Sequence, residues 1–426
     1  MLNANSLKAV NSSQFSQRFV KPLYQSYCFA NLPATIQHLL TGQGRSSLPL
    51  DVFGSLPTRY NKVVLIFLDA FGWRFFEQFA DHYPLLKTFL QQGVVSKLTS
   101  QFPSATAAHV TCINTGLNAA QSGIYEWYYY EPLVDAIISP LRFSYAGNSQ
   151  QNTLKASGIP PDAFYPSHTL HQSLHNFGVQ SHIFQPAAST YSSYSSAIFK
   201  GATSRNPFRV LEQALDQLTA RVLAKEESPA FYLFYYDTID TTSHVSGPSS
   251  QALADELEYF FLSLEQRFYH KLRQLTGDTL LLITADHGQI EVSPDTTCYL
   301  NRAIPDFADY LRVNQAGAPL VPAGSARDMF LYIKEERLDE AFEQLQRTLA
   351  GRAEVYLTHD LIQQNFFGSP QPSHAFLSRI GNVTILPYAH ETVWWFEQGR
   401  FAMQFQGHHG GLTPEEMEIP LLVLPL

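Results

Sequence analysis

The sequence predicts an α/β protein: a mostly parallel central sheet flanked by helices, with a smaller α/β subdomain inserted into it. Three observations carry this. The runs Lys62 to Leu68, Phe231 to Tyr236 and Thr279 to Thr284 are continuously apolar and rich in β-branched and aromatic residues, the pattern of strands buried on both faces of a parallel sheet. Helical segments alternate with them. The texture then changes between about 291 and 406, before a final apolar strand, Ile419 to Leu424, closes the sequence pattern.

The totals agree. A chain of 426 residues exceeds one ordinary core, so a large domain with an insert is the natural organisation. The expected division is a lead over 1–60, a core made of 61–290 and 407–426, and the insert 291–406. Hydrophobic residues make up 45% and charged residues 15%, as in a folded soluble protein. The 28 Lys+Arg against 37 Asp+Glu give a net charge of −9, and with no basic run this excludes nucleic acid as the main partner. An anionic small molecule is not excluded, because bound metal ions supply local positive charge. Cys28, Cys112 and Cys298 are scattered, which argues against a disulfide framework or a thiolate zinc site. The N-terminal stretch has no charged segment followed by an apolar run, and the apolar runs are strand-length, so a cytoplasmic location away from the membrane is expected.

In chain order, residues 1–60 read as a polar lead with one helix near Ala34 to Leu40 and a Gly/Ser/Pro-rich connection from Thr41 to Thr58. The first buried strand ends at Asp69, and a helix follows from Trp73 to Phe79. A carboxylate at the C-terminal end of a buried parallel strand sits where open α/β sheets bind ligands; capping the next helix is the competing role. Val94 to Thr99 is a further strand, ended by Pro103, and Ala107 to Asn114 reads as a helix stopped by Gly116. Ser104 and Thr106 both occupy the turn that opens this helix. A hydroxyl there meets unpaired backbone N–H groups and the positive end of a helix dipole, an environment suited to attack on an anion. An N-cap is the more frequent role for either residue.

Ser122 to Pro132 is dense in aromatics and reads as packing or as a pocket wall. Leu170 to Phe177 is helical, Ser181 to Gln185 is a strand, and Ala187 to Ser196 reads as a loop. Beyond Tyr236 stand Asp240 and His244, four apart and therefore on one face of a helical turn. A helix from Ser250 to Arg273 follows. The strand over Thr279 to Thr284 leads into Asp286, His287 and Gly288. In the insert, strands are expected at Asp328 to Lys334, Ala353 to Leu357, Gly381 to Pro387 and Val393 to Phe396, with an amphipathic helix from Leu338 to Leu349. Trp394 and Trp395 are expected in the core. Finally His408 and His409 lie between glycines, which let a backbone approach a ligand closely.

Asp69, Asp240, His244, Asp286, His287 and one of the two final histidines form a ligand set without thiolates. It is sufficient for two divalent ions, zinc first and manganese as the alternative. Two such ions flanking a hydroxyl would activate it for attack on a phosphoryl group.

Taken in order, Phe102-Pro103-Ser104-Ala105-Thr106, Asp69 after its strand, Asp240 to His244, Thr284 to Gly288 and Gly407-His408-His409-Gly410 resemble the alkaline phosphatase superfamily, in particular its type I phosphodiesterase/nucleotide pyrophosphatase family. The resemblance implies an alkaline-phosphatase-like fold and selects Thr106 over Ser104 as the nucleophile, with a covalent phospho-threonine intermediate. It also selects His409 over His408. One metal would take Asp69, Thr106, Asp286 and His287, the other Asp240, His244 and His409. The implied activity is hydrolysis of a phosphodiester or nucleotide pyrophosphate, the partner a small phosphorylated substrate. The alternatives are a monoesterase or phosphonate hydrolase of the same superfamily, a related mutase, or a binding protein that keeps the metal site. The family carries an asparagine a few residues after a Gly-Ile pair, and here that position is Trp127. The final signature continues Gly410-Gly411-Leu412-Thr413 where the family has Tyr-Asp-Asn. The Cys/Ser-x-Pro-Ser-Arg pattern of sulfatases does not occur.

Overall fold

A computed structural model describes residues 1–224, 228–273, 275 and 277–426. The predicted apolar runs become strands of one seven-stranded sheet. They are β1 (Lys62–Leu68), β2 (Val94–Thr99), β3 (Gln180–Pro186), β4 (Ser204–Phe208), β5 (Ala230–Tyr236), β6 (Thr279–Ala285) and β7 (Glu418–Pro425). Their spatial order is β2-β7-β6-β1-β5-β3-β4. Strand β7 runs antiparallel to both β6 and β2, and every other pairing is parallel. The central strand β1 is buried from Val63 to Leu68, as its unbroken apolar sequence requires.

The register of the three central strands builds the site. Leu68 is paired with Tyr236 on one side and with Ala285 on the other. The residues that follow, Asp69, Asp237 and Asp286, therefore emerge at one level on the C-terminal edge of the sheet. Helix α1 (Thr106–Thr115) follows β2, and helices α2 (Thr238–Ser246) and α3 (Gln251–Leu264) follow β5. Beyond α3 the expected long helix continues through a π-helical turn, Glu265–Tyr269, and a short final turn.

Three expectations need correction. The stretch Ala187 to Ser196 is not a plain loop, since it carries the short helices Ala187–Thr190 and Ser193–Ile198, the second capped by the Ser192 side chain. The N-terminal lead is not a polar appendage. Leu2 and Cys28 bridge to Val95 and Thr99 along β2, a helix Ala4–Asn11 packs there, and Phe29, Leu32 and Ile36 are buried. Its apolar positions are spread too thinly between polar ones to show in a sequence pattern. Within 291–406, strand pairing is shorter than the apolar runs suggest, at Met329–Leu331 and Val393–Trp394. A three-stranded antiparallel sheet there has Val383–Pro387 at its centre and Ala353–Leu357 on its other side. Among the described residues no helix is long and apolar enough to cross a membrane.

Candidate metal centre

Asp69, at the end of β1, places Oδ1 3.5 Å from the Thr106 hydroxyl and 3.5 Å from His287 Nε2. Its Oδ2 accepts from the Tyr235 hydroxyl. The residue capping the helix Trp73–Phe79 is Gly72, so Asp69 is not its cap. Asp286, at the end of β6, accepts from the Ala70 and His287 amides through Oδ1 at 3.0 and 2.9 Å. Its Oδ2 is buried, has no hydrogen-bond partner among the described residues and lies 3.4 Å from His287 Nε2. The two strand ends touch through glycine: a Cβ on Gly72 would come within 2.6 Å of the Gly288 Cα.

Thr106 is the first residue of α1, and the N-cap is Ala105, which makes no side-chain cap bond. Neither hydroxyl of the opening turn is therefore a helix cap. Thr106 Oγ1 lies 3.2 Å from His287 Nε2. Ser104 instead turns to the C-terminal loop, donating to the Gly411 carbonyl at 2.8 Å.

On α2, Asp240 Oδ1 lies 3.4 Å from His244 Nε2 and 3.6 Å from His409 Nε2. Candidate donor atoms of Asp240, His244 and His409 lie within 4.8 Å of one another, as do those of Asp69, Asp240 and His287. Asp286 joins neither triad at that range and contacts the second through His287. The structure thus brings all seven predicted residues to one place, with Asp240 between the two groups. His408 belongs to neither triad, and its Nδ1 lies 2.9 Å from the His409 carbonyl.

The three imidazoles share one orientation. Nδ1 faces a backbone carbonyl in each: Gly288 O at 3.0 Å for His287, Gly407 O at 2.7 Å for His244 and Ser104 O at 2.8 Å for His409. A carbonyl only accepts, so Nδ1 carries the proton and Nε2 keeps its lone pair directed inward, the arrangement of a ligating histidine. Burial holds His287 and His409 well below the ordinary histidine pKa, hence neutral, and their rings stack at 3.6 Å.

Burial lifts Asp69 well above the carboxylate range, with the Asp286 and Asp240 charges adding to it. Burial likewise pushes Asp286 up to about 7 and raises Asp240. Among the described residues none of the three pairs with Lys or Arg. Three close carboxylates, neutral imidazoles and an orphaned buried oxygen form a site in deficit of positive charge, which divalent cations fit.

Supporting residues escaped the sequence reading. Gln289 donates to Asp240. Ser100 donates to the Asp286 carbonyl at 2.6 Å and sits 2.8 Å from His109 Nε2, while His109 Nδ1 faces Ala105 O at 2.8 Å. In the aromatic stretch, Tyr125 and Tyr129 are buried and stacked, whereas Trp127 is 38% exposed and faces the cavities beside Thr106.

This sheet, with candidate Asp and His ligands at its C-terminal edge and a hydroxyl at a helix start, defines a protein of the alkaline phosphatase superfamily. Within it the chain belongs to the type I phosphodiesterase / nucleotide pyrophosphatase family, whose model matches residues 63–412. Ectonucleotide pyrophosphatase/phosphodiesterase family member 3 of Rattus norvegicus is 24% identical over 282 residues, covering 64% of this chain and 30% of the relative. The Mus musculus protein of the same name is 23% identical over the same shares. The chain thus spans under a third of the length of these relatives. Among solved structures, murine ectonucleotide pyrophosphatase / phosphodiesterase 5, as an inactive variant in complex with AMP, superposes with a TM-score of 0.63 at 16% identity. That match covers 85% of this chain and 87% of the other. The human form gives 0.63 at 18% identity over the same shares.

Proposed function

We propose that this protein is a dinuclear metal-dependent phosphohydrolase that cleaves a phosphodiester or nucleotide pyrophosphate through Thr106. The observation that carries the reading is the gathering of three carboxylates and three imidazole Nε2 atoms in one place, with Asp69 and His287 within 3.5 Å of the Thr106 hydroxyl. Asp69, Thr106, Asp286 and His287 would hold one ion, and Asp240, His244 and His409 the other. Such ions supply charge to the attacking and leaving oxygens and favour the alkoxide form of a bound hydroxyl. Zinc suits this Asp/His donor set, and manganese is the alternative.

Thr106 Oγ1 attacks phosphorus, forming the Thr106–phosphate bond as the bond to the leaving oxygen breaks and that oxygen departs with the electron pair. Among the described residues the Thr106 and Ala107 amides have no partner, so they stand ready for negative charge on the phosphoryl oxygens. Water then adds to phosphorus, and the Thr106 oxygen leaves and regains its proton. Gly288, Gly407 and Ser104 keep the imidazoles in one tautomer throughout. In this reading residues 291–406 are an insert that walls one side of the site through Ser325, Trp394 and Phe401. Relatives named ectonucleotide pyrophosphatase/phosphodiesterase, and an AMP-bound neighbour of the same fold, support a small nucleotide-type substrate. The cytoplasmic location belongs to the same proposal, and cell fractionation tests it.

The test is hydrolysis of bis-nitrophenyl against mono-nitrophenyl phosphate after reconstitution with zinc or manganese. Turnover that Thr106→Ala abolishes supports the proposal. Absent turnover on every substrate, with Thr106→Ala indistinguishable from the parent, rejects it. Trp127, at the family's asparagine position, favours a second reading, monoester or phosphonate hydrolysis, and the same substrate pair decides between them.

A further inference from the structure

Two cavities meet at Thr106. The larger, about 400 Å³, is walled by aromatic residues, among them Tyr128, Trp394, Phe401 and Phe405. The smaller, about 280 Å³, has a wall that includes the side-chain amides of Asn114 and Gln185 and the hydroxyls of Ser192 and Tyr194. Four residues line both: Thr106, Trp127, Arg142 and Asp240.

Of these four, Arg142 is the permanent cation. Among the described residues it pairs with no carboxylate, and its guanidinium donates to the Ser149 carbonyl. The other arginine of the larger cavity, Arg400, is engaged by Glu397 at 2.6 Å. The Arg142 backbone is fixed. Its carbonyl accepts from the Asn152 amide at 2.9 Å and from the Ser144 hydroxyl at 3.2 Å, and Phe143 closes the turn in the left-handed region at φ 49°. A charge held without a counter-charge, lining both of the cavities that the Thr106 hydroxyl also lines, is placed for an anion.

We infer that Arg142 binds the phosphate of a two-armed substrate, with one organic group in each cavity, and so sets a preference for such substrates over monoesters. The inference rests on the phosphohydrolase reading and names the side chain that holds its anion. A guanidinium presents parallel N–H donors that match two oxygens of one phosphate. A diester phosphate carries a single negative charge, which one guanidinium balances. Its aromatic or apolar arm gains burial in the larger cavity, and a sugar-like polar arm finds hydroxyls and amides in the smaller one. A monoester fills only one of the two.

The experiment uses the full chain reconstituted with metal, and the variants Arg142→Gln and Arg142→Met, each checked by melting temperature. The KM for bis-nitrophenyl phosphate is expected to rise roughly tenfold to hundredfold with a smaller change in kcat, as for the loss of a charged hydrogen bond. The KM for the mono-nitrophenyl ester should rise less. In a Thr106→Ala background, where no turnover occurs, the Kd of bis-nitrophenyl phosphate measured by calorimetry should weaken by a similar factor. Values within about twofold of the parent in a folded variant overturn the inference. Binding that depends on Arg142 in a protein without hydrolytic activity would reject the phosphohydrolase reading and keep the Arg142 assignment.

Discussion

His409 Nδ1 faces the Ser104 carbonyl at 2.8 Å across a sequence separation of 305 residues, and Ser104 returns the contact. Its amide donates to Gly410 O at 3.2 Å, while its hydroxyl donates to Gly411 O and accepts from the Gly410 amide at 3.1 Å. The residue two before the proposed nucleophile thus aims a proposed ligand of the second ion. Ser104→Ala removes both hydroxyl bonds from a fully buried position. The melting temperature is expected to fall by the equivalent of roughly 1–3 kcal/mol. Zinc affinity, followed by titration of the metal-free protein, should weaken by about tenfold or more.

Thr106→Ala and Thr106→Ser separate nucleophile from scaffold. The alanine variant should lose on the order of 10³-fold or more in kcat. The serine variant keeps the attacking oxygen and should retain measurable turnover. Acid-quenched parent protein is expected to carry one phosphoryl group on the peptide containing Thr106, detectable by mass, and Thr106→Ala none.

Asp286→Asn tests the charge deficit without substrate. In the metal-free protein the Asp286 carboxyl is pushed up to about 7 by burial, so the folded state holds a proton that the unfolded chain releases near pH 4. Stability of the metal-free parent therefore falls as pH rises from about 4 towards about 7. Asp286→Asn removes its share of that dependence and leaves the part carried by Asp69 and Asp240. At about pH 8 the chelated variant should melt above the chelated parent by the equivalent of on the order of 1 kcal/mol. Added zinc should stabilise the parent and leave the variant nearly unmoved. Thermal melts with and without chelator read both effects.

Gly72→Ala probes the contact between the ends of β1 and β6. The added methyl would overlap the Gly288 backbone at 2.6 Å, where no flexible side chain can yield. A loss of roughly 1–3 kcal/mol is expected. Because the displaced loops carry Asp69 and Asp286, zinc affinity should fall with it. Retention of both stability and affinity would mean that the strand ends tolerate separation.

The sheet and the candidate ligand positions were legible because each depends on local pattern. An unbroken apolar run marks a buried strand, and Asp at its end marks the ligand edge, so Asp69 and Asp286 stand out, as does the Asp240–His244 spacing. What was not legible depends on contacts between distant segments. Ser104 reads as a turn residue because its partners are Gly410 and Gly411. Gln289 bonds Asp240, Ser100 bonds the Asp286 carbonyl and His109 lies against Ser100, contacts that leave no periodic trace. The first sixty residues look polar because their buried side chains come in short groups between polar stretches and are gathered against β2, β1 and α1 only in the fold. Trp394 is buried as its composition suggests, at 7% exposure, yet also forms cavity wall.

Strand β7 also orders events in time. It lies between β2 and β6, and among the described residues it is the only strand of the large sheet that β2 pairs with. During synthesis on the ribosome, Val94 to Thr99 must wait for more than three hundred later residues before its edge is satisfied. Until then the nascent chain carries an apolar unpaired edge of the kind that invites aggregation and chaperone binding. Because His409 stands just ahead of β7, the proposed second ion site is completed in the same late step. A partly made chain can present the carboxylates of Asp69, Asp240 and Asp286 long before it can be a finished catalyst.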